Sequence, residues 1–103
     1  MNLTFRPQFL ADVEQCADYL MTEAGEAVAA AWHQALENAL EHIQLVPEIG
    51  RLRQDLPIEG ILTLNLRKYP NYLIFYRLEK EAIEILRVRH GMRHLPELFS
   101  GFL

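Results

Sequence analysis

The nine residues Arg87-Val88-Arg89-His90-Gly91-Met92-Arg93-His94-Leu95 hold three arginines, two histidines and no acid. Arginine presents a planar fork of donors that matches a carboxylate or phosphate, and histidine changes charge near neutral pH. Such a stretch can bind an anion, or supply an acid and a base for proton transfer. His90 and His94, four residues apart, also have the spacing of a helical metal-binding pair. A strand-like run precedes His90, however, and Gly91 interrupts any helix. The single cysteine, Cys16, lies far off in the first half of the chain. No metal and no cofactor are therefore expected. Gly91 reads instead as a residue of positive φ that turns the chain out of a sheet.

Side chains alternate along an extended segment. Arg87 and Arg89 are thus expected on the face of Ile83 and Ile85, with Val88 and His90 on the face of Leu86. Two neighbouring arginines repel unless an anion sits over them. It could be an acid of this chain, such as Asp55 or Glu59, a carboxylate of a partner, or an acidic patch on a target. Arg87, deepest in the strand, suits an internal pair as well as it suits a partner. Arg89, His90, Arg93 and His94 lie further out. With Arg87 and Arg67 they make up the candidate residues for contact with a partner. Arg51 has a local use, bonding the last carbonyls of the preceding helix. Arg67 and Lys68 flank a turn expected at Tyr69-Pro70.

This basic stretch belongs to a chain of net charge −4. Residues 1–50 carry one base, Arg6, against eight acids, whereas residues 51–103 carry nine bases against six acids. The first half is thus expected to be a solvated acidic shell, and any contact with an anionic partner should come from the second half. At 103 residues the chain is expected to be a single domain over 1–103, with half its residues hydrophobic and able to form a core without disulfides or metal. No signal peptide and no membrane span are read, so a cytoplasmic location is expected.

The elements that must position these groups follow from periodicity. Leu3-Thr4-Phe5 reads as a short strand. Pro7 suits the first turn of a helix over 7–21, with Phe9, Leu10, Val13, Cys16, Ala17 and Leu20 on its apolar face. Asp12, Glu14, Gln15 and Asp18 fall between them as solvated positions. Arg6 stands where a capping Ser or Thr is more usual. Gly25 breaks the helix. A second helix, ended by Pro47 and Gly50, carries Val28, Ala31, Trp32, Ala35, Leu36, Ala39, Leu40 and Ile43 on one face. Its alanines allow close approach, so an antiparallel helical hairpin anchored by Trp32 is predicted.

After Gly60 the period becomes two. Ile61–Leu66, Tyr72–Leu78 and Ala82–Val88 read as strands, with turns at Pro70-Asn71 and Glu79-Lys80-Glu81. Connections this short give an antiparallel meander. The fold class is α+β: a strand, an antiparallel helical hairpin, then a three-stranded antiparallel meander with the hairpin on one face. Tyr72, Ile74 and Tyr76 share one face of the middle strand, and Leu73 and Phe75 the other. The hairpin can cover only one face. The other must be hidden by Leu95, Leu98, Phe99, Phe102 and Leu103 or by a partner.

Three segments carry a family resemblance: "VPEIGRLR" (46–53), "YLIFYRLEKEAIEILRVRHGMRH" (72–94) and Phe5-Arg6-Pro7 leading into the hairpin. In order and over nearly the whole chain they resemble the ParE toxin family, of the ParE/RelE superfamily of toxin–antitoxin and plasmid stabilisation modules. The resemblance implies a bacterial protein encoded beside a ParD-like antitoxin, whose flexible C-terminal segment wraps and neutralises it. It implies poisoning of DNA gyrase through protein contact that traps the cleaved-DNA state, without chemistry of the toxin's own. Operator DNA would be met only through the antitoxin. RelE-like relatives instead cleave messenger RNA on the ribosome. That alternative calls for an arginine where Leu73 stands, bases where Leu62 and Leu64 stand, and a tyrosine in the tail, which has none after Tyr76. A third reading is a degenerate, non-toxic partner of the antitoxin.

Overall fold

The computed structural model describes residues 1–91 and Phe99. Strand β1 (Asn2–Phe5) leads into helix α1 (Pro7–Ala24) and helix α2 (Glu26–Leu45). A single 3-10 turn at Pro47–Ile49 precedes β2 (Arg51–Leu52), β3 (Ile61–Leu66), β4 (Tyr69–Leu78) and β5 (Ala82–His90). The strands form one five-stranded sheet in the order β1-β5-β4-β3-β2. All neighbours are antiparallel except β1, which runs parallel to β5. The α+β class, the hairpin and the meander are as read from the sequence. The parallel pairing of β1 and the two-residue β2 enlarge the sheet beyond the meander.

Pro7 occupies the first turn of α1, and Arg6, extended at φ −75°, makes no side-chain cap. The helix runs three residues past the expected end, because Thr22-Glu23-Ala24 offer no obstacle before Gly25. Gly25 then ends it at φ +94°, its N–H reaching the carbonyls of Leu20 and Met21. In α2 the buried positions are Ala29, Trp32, Ala35, Leu36, Ala39 and Ile43. Trp32 is fully enclosed, as its size and central place suggested, whereas Ala31 is exposed and Ala29 takes the inward position. Steps of three and four from Trp32 lead to Ala29 and not to Ala31.

The sheet is buried on both faces. Leu62, Leu66, Tyr72, Ile74, Tyr76, Ile83, Ile85 and Val88 pack with Phe9, Trp32, Leu36 and Ile43 under the helices. On the far face Ile61, Leu73, Phe75 and Leu86 pack with Leu56, Ile58 and Phe99. The Phe99 ring meets that of Phe75 edge-on at 5.4 Å. Phe99 thus does what was asked of the tail; Leu95, Leu98, Phe102 and Leu103 lie outside the described residues. The loop after β2 covers the rest of this face. It is clamped by Arg53, whose Nε and Nη2 donate to the two Asp55 oxygens at 2.8 and 2.6 Å. Asp55 therefore serves Arg53, not the arginines of β5.

Two irregularities move residues from their expected places. The β3–β4 turn is Arg67-Lys68, with Lys68 at φ +70°, so β4 starts at Tyr69 and not at Tyr72. Pro70 and Asn71 are turn-forming types, but they sit in a bulge: Leu66 faces Tyr69 while the next residue back, Asn65, faces Leu73. There the missing N–H of Pro70 costs no ladder bond. The second bulge is in β5, where Tyr76 faces Ile85 but Phe75 faces Arg87, leaving Leu86 as the extra residue. One added residue inverts the alternation beyond it. Val88 consequently joins Ile83 and Ile85 in the core under the helices, and Leu86 faces the other core. The expected grouping of Val88 and His90 with Leu86 is wrong for this reason.

Tyr76 ties the end of α2 to the sheet. Its hydroxyl donates to the Pro47 carbonyl at 2.8 Å and accepts the Gly50 N–H at 2.7 Å. A Cβ on residue 50 would lie 2.5 Å from the Tyr76 oxygen, so only glycine fits. Arg51, assigned on sequence grounds to the carbonyls of α2, instead lies in β2 opposite Thr63.

Candidate functional site

The site is built where β1 stops. Its pairing with β5 covers Ala82 to Ile85, and the last bond runs from the Arg6 N–H to the Ile85 carbonyl at 3.0 Å. Beyond that point the edge of β5 faces α1. Asp12 of α1 fills the gap: its Oδ2 accepts the Val88 N–H at 3.2 Å and Arg87 Nε at 2.6 Å, and its Oδ1 accepts Arg87 Nη2 at 2.8 Å. A carboxylate read as solvated is thus one of the most buried side chains of α1. Its spacing carried a signal, since Asp12 stands three residues after Phe9 and four before Cys16, on the inward side of the helix. Its partner, 75 positions away, gave none. Arg87 is accordingly engaged inside the fold.

Arg89 is placed differently. Its Nη1 lies 3.9 Å from Asp12 Oδ1, a longer ion pair than the Arg87 fork on the same carboxylate, and its side chain is 41% exposed. A second guanidinium therefore shares the carboxylate that Arg87 holds at hydrogen-bond distance, and it is the more exposed of the two. His90 follows it, exposed, with its ring edge-on to Tyr72 at 4.8 Å. Tyr72 in turn meets Trp32 at 5.5 Å, which fixes the ring between the core and the surface.

These residues line a cavity of about 510 Å³ between α1 and the end of the sheet. Its walls are Asp12, Gln15, Cys16, Tyr19, Leu20, Glu23 and Ala24 from α1, Tyr72 from β4, and Arg89 and His90 from β5. Burial, aided by the nearby Asp12 charge and opposed by Arg89, pushes the Cys16 thiol up to about 11, so it is protonated at neutral pH. Burial also raises Tyr72 above the ordinary phenol value. Neither group is a nucleophile or base at neutral pH. The cavity offers apolar surface and one cationic wall.

Arg67 lies at the tip of the β3–β4 hairpin, exposed, with no ion pair among the described residues. Register puts this tip at the end of the sheet where β5 finishes, because Tyr72 near the start of β4 faces His90. Arg67, Lys68, Arg89 and His90 therefore share one end of the molecule. At the opposite end Arg77 is held by Glu79 at 3.0 Å and Glu84 at 2.7 Å, and Arg6 lies 3.6 Å from Glu84. Arg93 and His94 lie outside the described residues. Of the six candidates, the structure brings Arg89 and His90 to one cavity wall, sets Arg67 at the same end, and pairs the half-buried Arg87 with Asp12.

Residues 3–95 match the sequence profile described as "ParE toxin of type II toxin-antitoxin system, parDE". The chain belongs to this ParE toxin family. No curated protein sequence matches it. A solved chain described as "Chromosomal ParDE TA system from P. aeruginosa" superposes with a TM-score of 0.75 at 23% identity. The match covers 89% of this chain and 97% of that one. At that identity the likeness speaks for the fold, which is the ParE arrangement of two helices on a mostly antiparallel sheet. No helix among the described residues is long and apolar enough to cross a membrane.

Proposed function

We propose that this ParE-family toxin is neutralised by a cognate, ParD-like antitoxin and poisons DNA gyrase in the cytoplasm through protein contact, without chemistry of its own. Operator DNA is reached only through the antitoxin. The observation that carries this reading is the segregation of charge. Arg87, Arg53, Arg77 and Arg6 pair with acids of the same chain and Arg89 reaches Asp12 only at 3.9 Å, so that Arg67, Lys68, Arg89 and His90 gather at one end, while Arg51 in β2 and Lys80 in the β4–β5 turn are, among the described residues, the exposed cations away from it. Arg93 and His94 follow His90 in sequence and extend the same basic run. A local basic surface on an acidic chain suits an acidic protein patch.

Support for contact rather than catalysis comes from the positions that RNA cleavage would need. Leu62 and Leu73 are buried in the two cores and Leu64 packs against the first, so the strand positions where that chemistry calls for bases are apolar and enclosed. The neutral Cys16 and Tyr72 supply no base. Purified, antitoxin-free protein in a gyrase supercoiling assay tests the proposal: supercoiling should stop and linear DNA should accumulate.

A further inference from the structure

The two edges of the sheet are built differently. β2 has two residues and carries Arg51, with Arg53 directly after Leu52, so that edge is short and charged, as edges that stay unpaired commonly are. β1 forms the other edge, and Asn2-Leu3-Thr4-Phe5 holds no charge, proline or glycine. Its parallel pairing with β5 uses alternate residues. The Arg6 N–H bonds the Ile85 carbonyl, so steps of two assign the backbone groups of Thr4 and Asn2 to β5. Those of Leu3 and Phe5 then face the open side, where no strand lies among the described residues.

The side chains follow the same alternation. Leu3 packs against the core under the helices, and Phe5 stacks on Phe9 of α1 at 5.6 Å while staying 43% exposed. Met1, 51% exposed, has the parity of Phe5. Asn2 and Thr4, both exposed, take the far face. Although the chain is acidic, the first turn of α1 beside this edge holds no acid, and Arg6 lies 3.6 Å from Glu84. No like charges would therefore oppose the approach of a second, identical edge.

We infer that β1 is a self-association edge, through which two copies of this chain join their five-stranded sheets into one. Run antiparallel about a two-fold axis at Leu3, the two Leu3 residues exchange N–H and carbonyl bonds. Phe5 then lies opposite Met1 of the second copy on the helix side, and Asn2 lies opposite Thr4 on the far side. Apolar meets apolar and polar meets polar, so the strand is complementary to itself. Because β5 runs parallel to β1, the pair carries its two basic ends at opposite poles. A contact of four residues is small, and its dissociation constant should be on the order of 100 µM. The inference is independent of the antitoxin and gyrase readings.

The test uses the full chain, free of antitoxin and labelled with nitrogen-15, from micromolar to millimolar concentration. Sedimentation should show the average mass rising towards that of a dimer, and the amide signals of Leu3 and Phe5 should move with it. Asn2→Lys/Thr4→Lys sets like charges opposite one another across the axis and should weaken association at least about tenfold. Asn2→Glu/Thr4→Lys sets opposite charges there and should restore it. Both positions are exposed, so both variants should keep the signal dispersion of the folded chain. A chain that stays monomeric at millimolar concentration, leaving the edge to a strand of another protein, would overturn the inference. So would equal association of the two variants, or concentration-dependent shifts confined to β2 or to the basic end.

Discussion

Asp12 and Arg87, 75 positions apart, form a two-bonded carboxylate–guanidinium fork that fastens α1 to β5 where β1 ends. The same carboxylate caps the Val88 N–H, so one side chain replaces the missing strand neighbour and neutralises one of the two arginines beside it. Arg89, 3.9 Å from the same carboxylate, lines the cavity beside it. The fork thus links the packing of the first helix to the character of the candidate site.

Breaking the fork from one side leaves a buried charge without its partner. Asp12→Asn should cost roughly 3–5 kcal/mol in urea unfolding. Replacing both members with apolar residues of similar reach, Asp12→Leu with Arg87→Met, should cost clearly less, because no lone charge remains. A loss in the double variant as large as the sum of the Asp12→Leu and Arg87→Met losses would show that the fork is not a coupled unit.

The tie between α2 and the sheet should be equally sensitive. Gly50→Ala places a methyl group 2.5 Å from the Tyr76 oxygen and should destabilise by about 1–3 kcal/mol. Tyr76→Phe strands the Gly50 N–H and the Pro47 carbonyl and should lose a similar amount, about 1–3 kcal/mol. Thermal melts of the two variants check both.

Cys16 provides a chemical reading of the cavity. With its pKa pushed up to about 11, the thiolate fraction at pH 8 is roughly one in a thousand, against about one in four for an ordinary thiol near 8.5. Iodoacetamide should therefore alkylate the native protein far more slowly than the urea-unfolded chain at pH 8, and the native rate should still be rising tenfold per pH unit at pH 9. A native rate that levels off near pH 8.5 would contradict the burial described here.

Acid should reveal the clamp over the second core. The Arg53 guanidinium bonded to Asp55 lowers that carboxyl to about 2, well below its usual range. The unfolded chain then takes up this proton first, so the clamp's contribution is present above about pH 4 and lost as pH falls towards 2. Asp55→Asn should flatten that part of the stability curve. Because the carboxyl is exposed, the difference should shrink in high salt.

Much of this was readable from residue types. Tyr72, Ile74 and Tyr76 alternate with Leu73 and Phe75 as a strand buried on both faces must, and Trp32 had no place except the core. Gly25 and Gly91 carried their turns in their identity, with φ of +94° and +82°. The failures share a physical cause. The bulge at Leu86 has no mark in composition, yet one extra residue exchanged the faces of Arg87, Val88 and His90. Asp12 looked solvated because its burial depends on an arginine brought near only by the fold. Pro70 and Asn71 have turn chemistry but were absorbed by a bulge, while the actual turn fell to Arg67 and a strained Lys68. The sequence therefore showed where charge collects, and the sheet register decided which charges stay internal.

The most direct test of the central claim is gyrase supercoiling in the presence of purified, folded, antitoxin-free protein, with Arg67→Glu/Arg89→Glu as the paired variant. The account predicts that the wild-type chain blocks supercoiling and accumulates linear DNA from trapped cleavage complexes, and that the variant needs at least about tenfold more protein to do so. Gyrase left undisturbed by the folded wild-type chain, or poisoned equally by the variant, would contradict it.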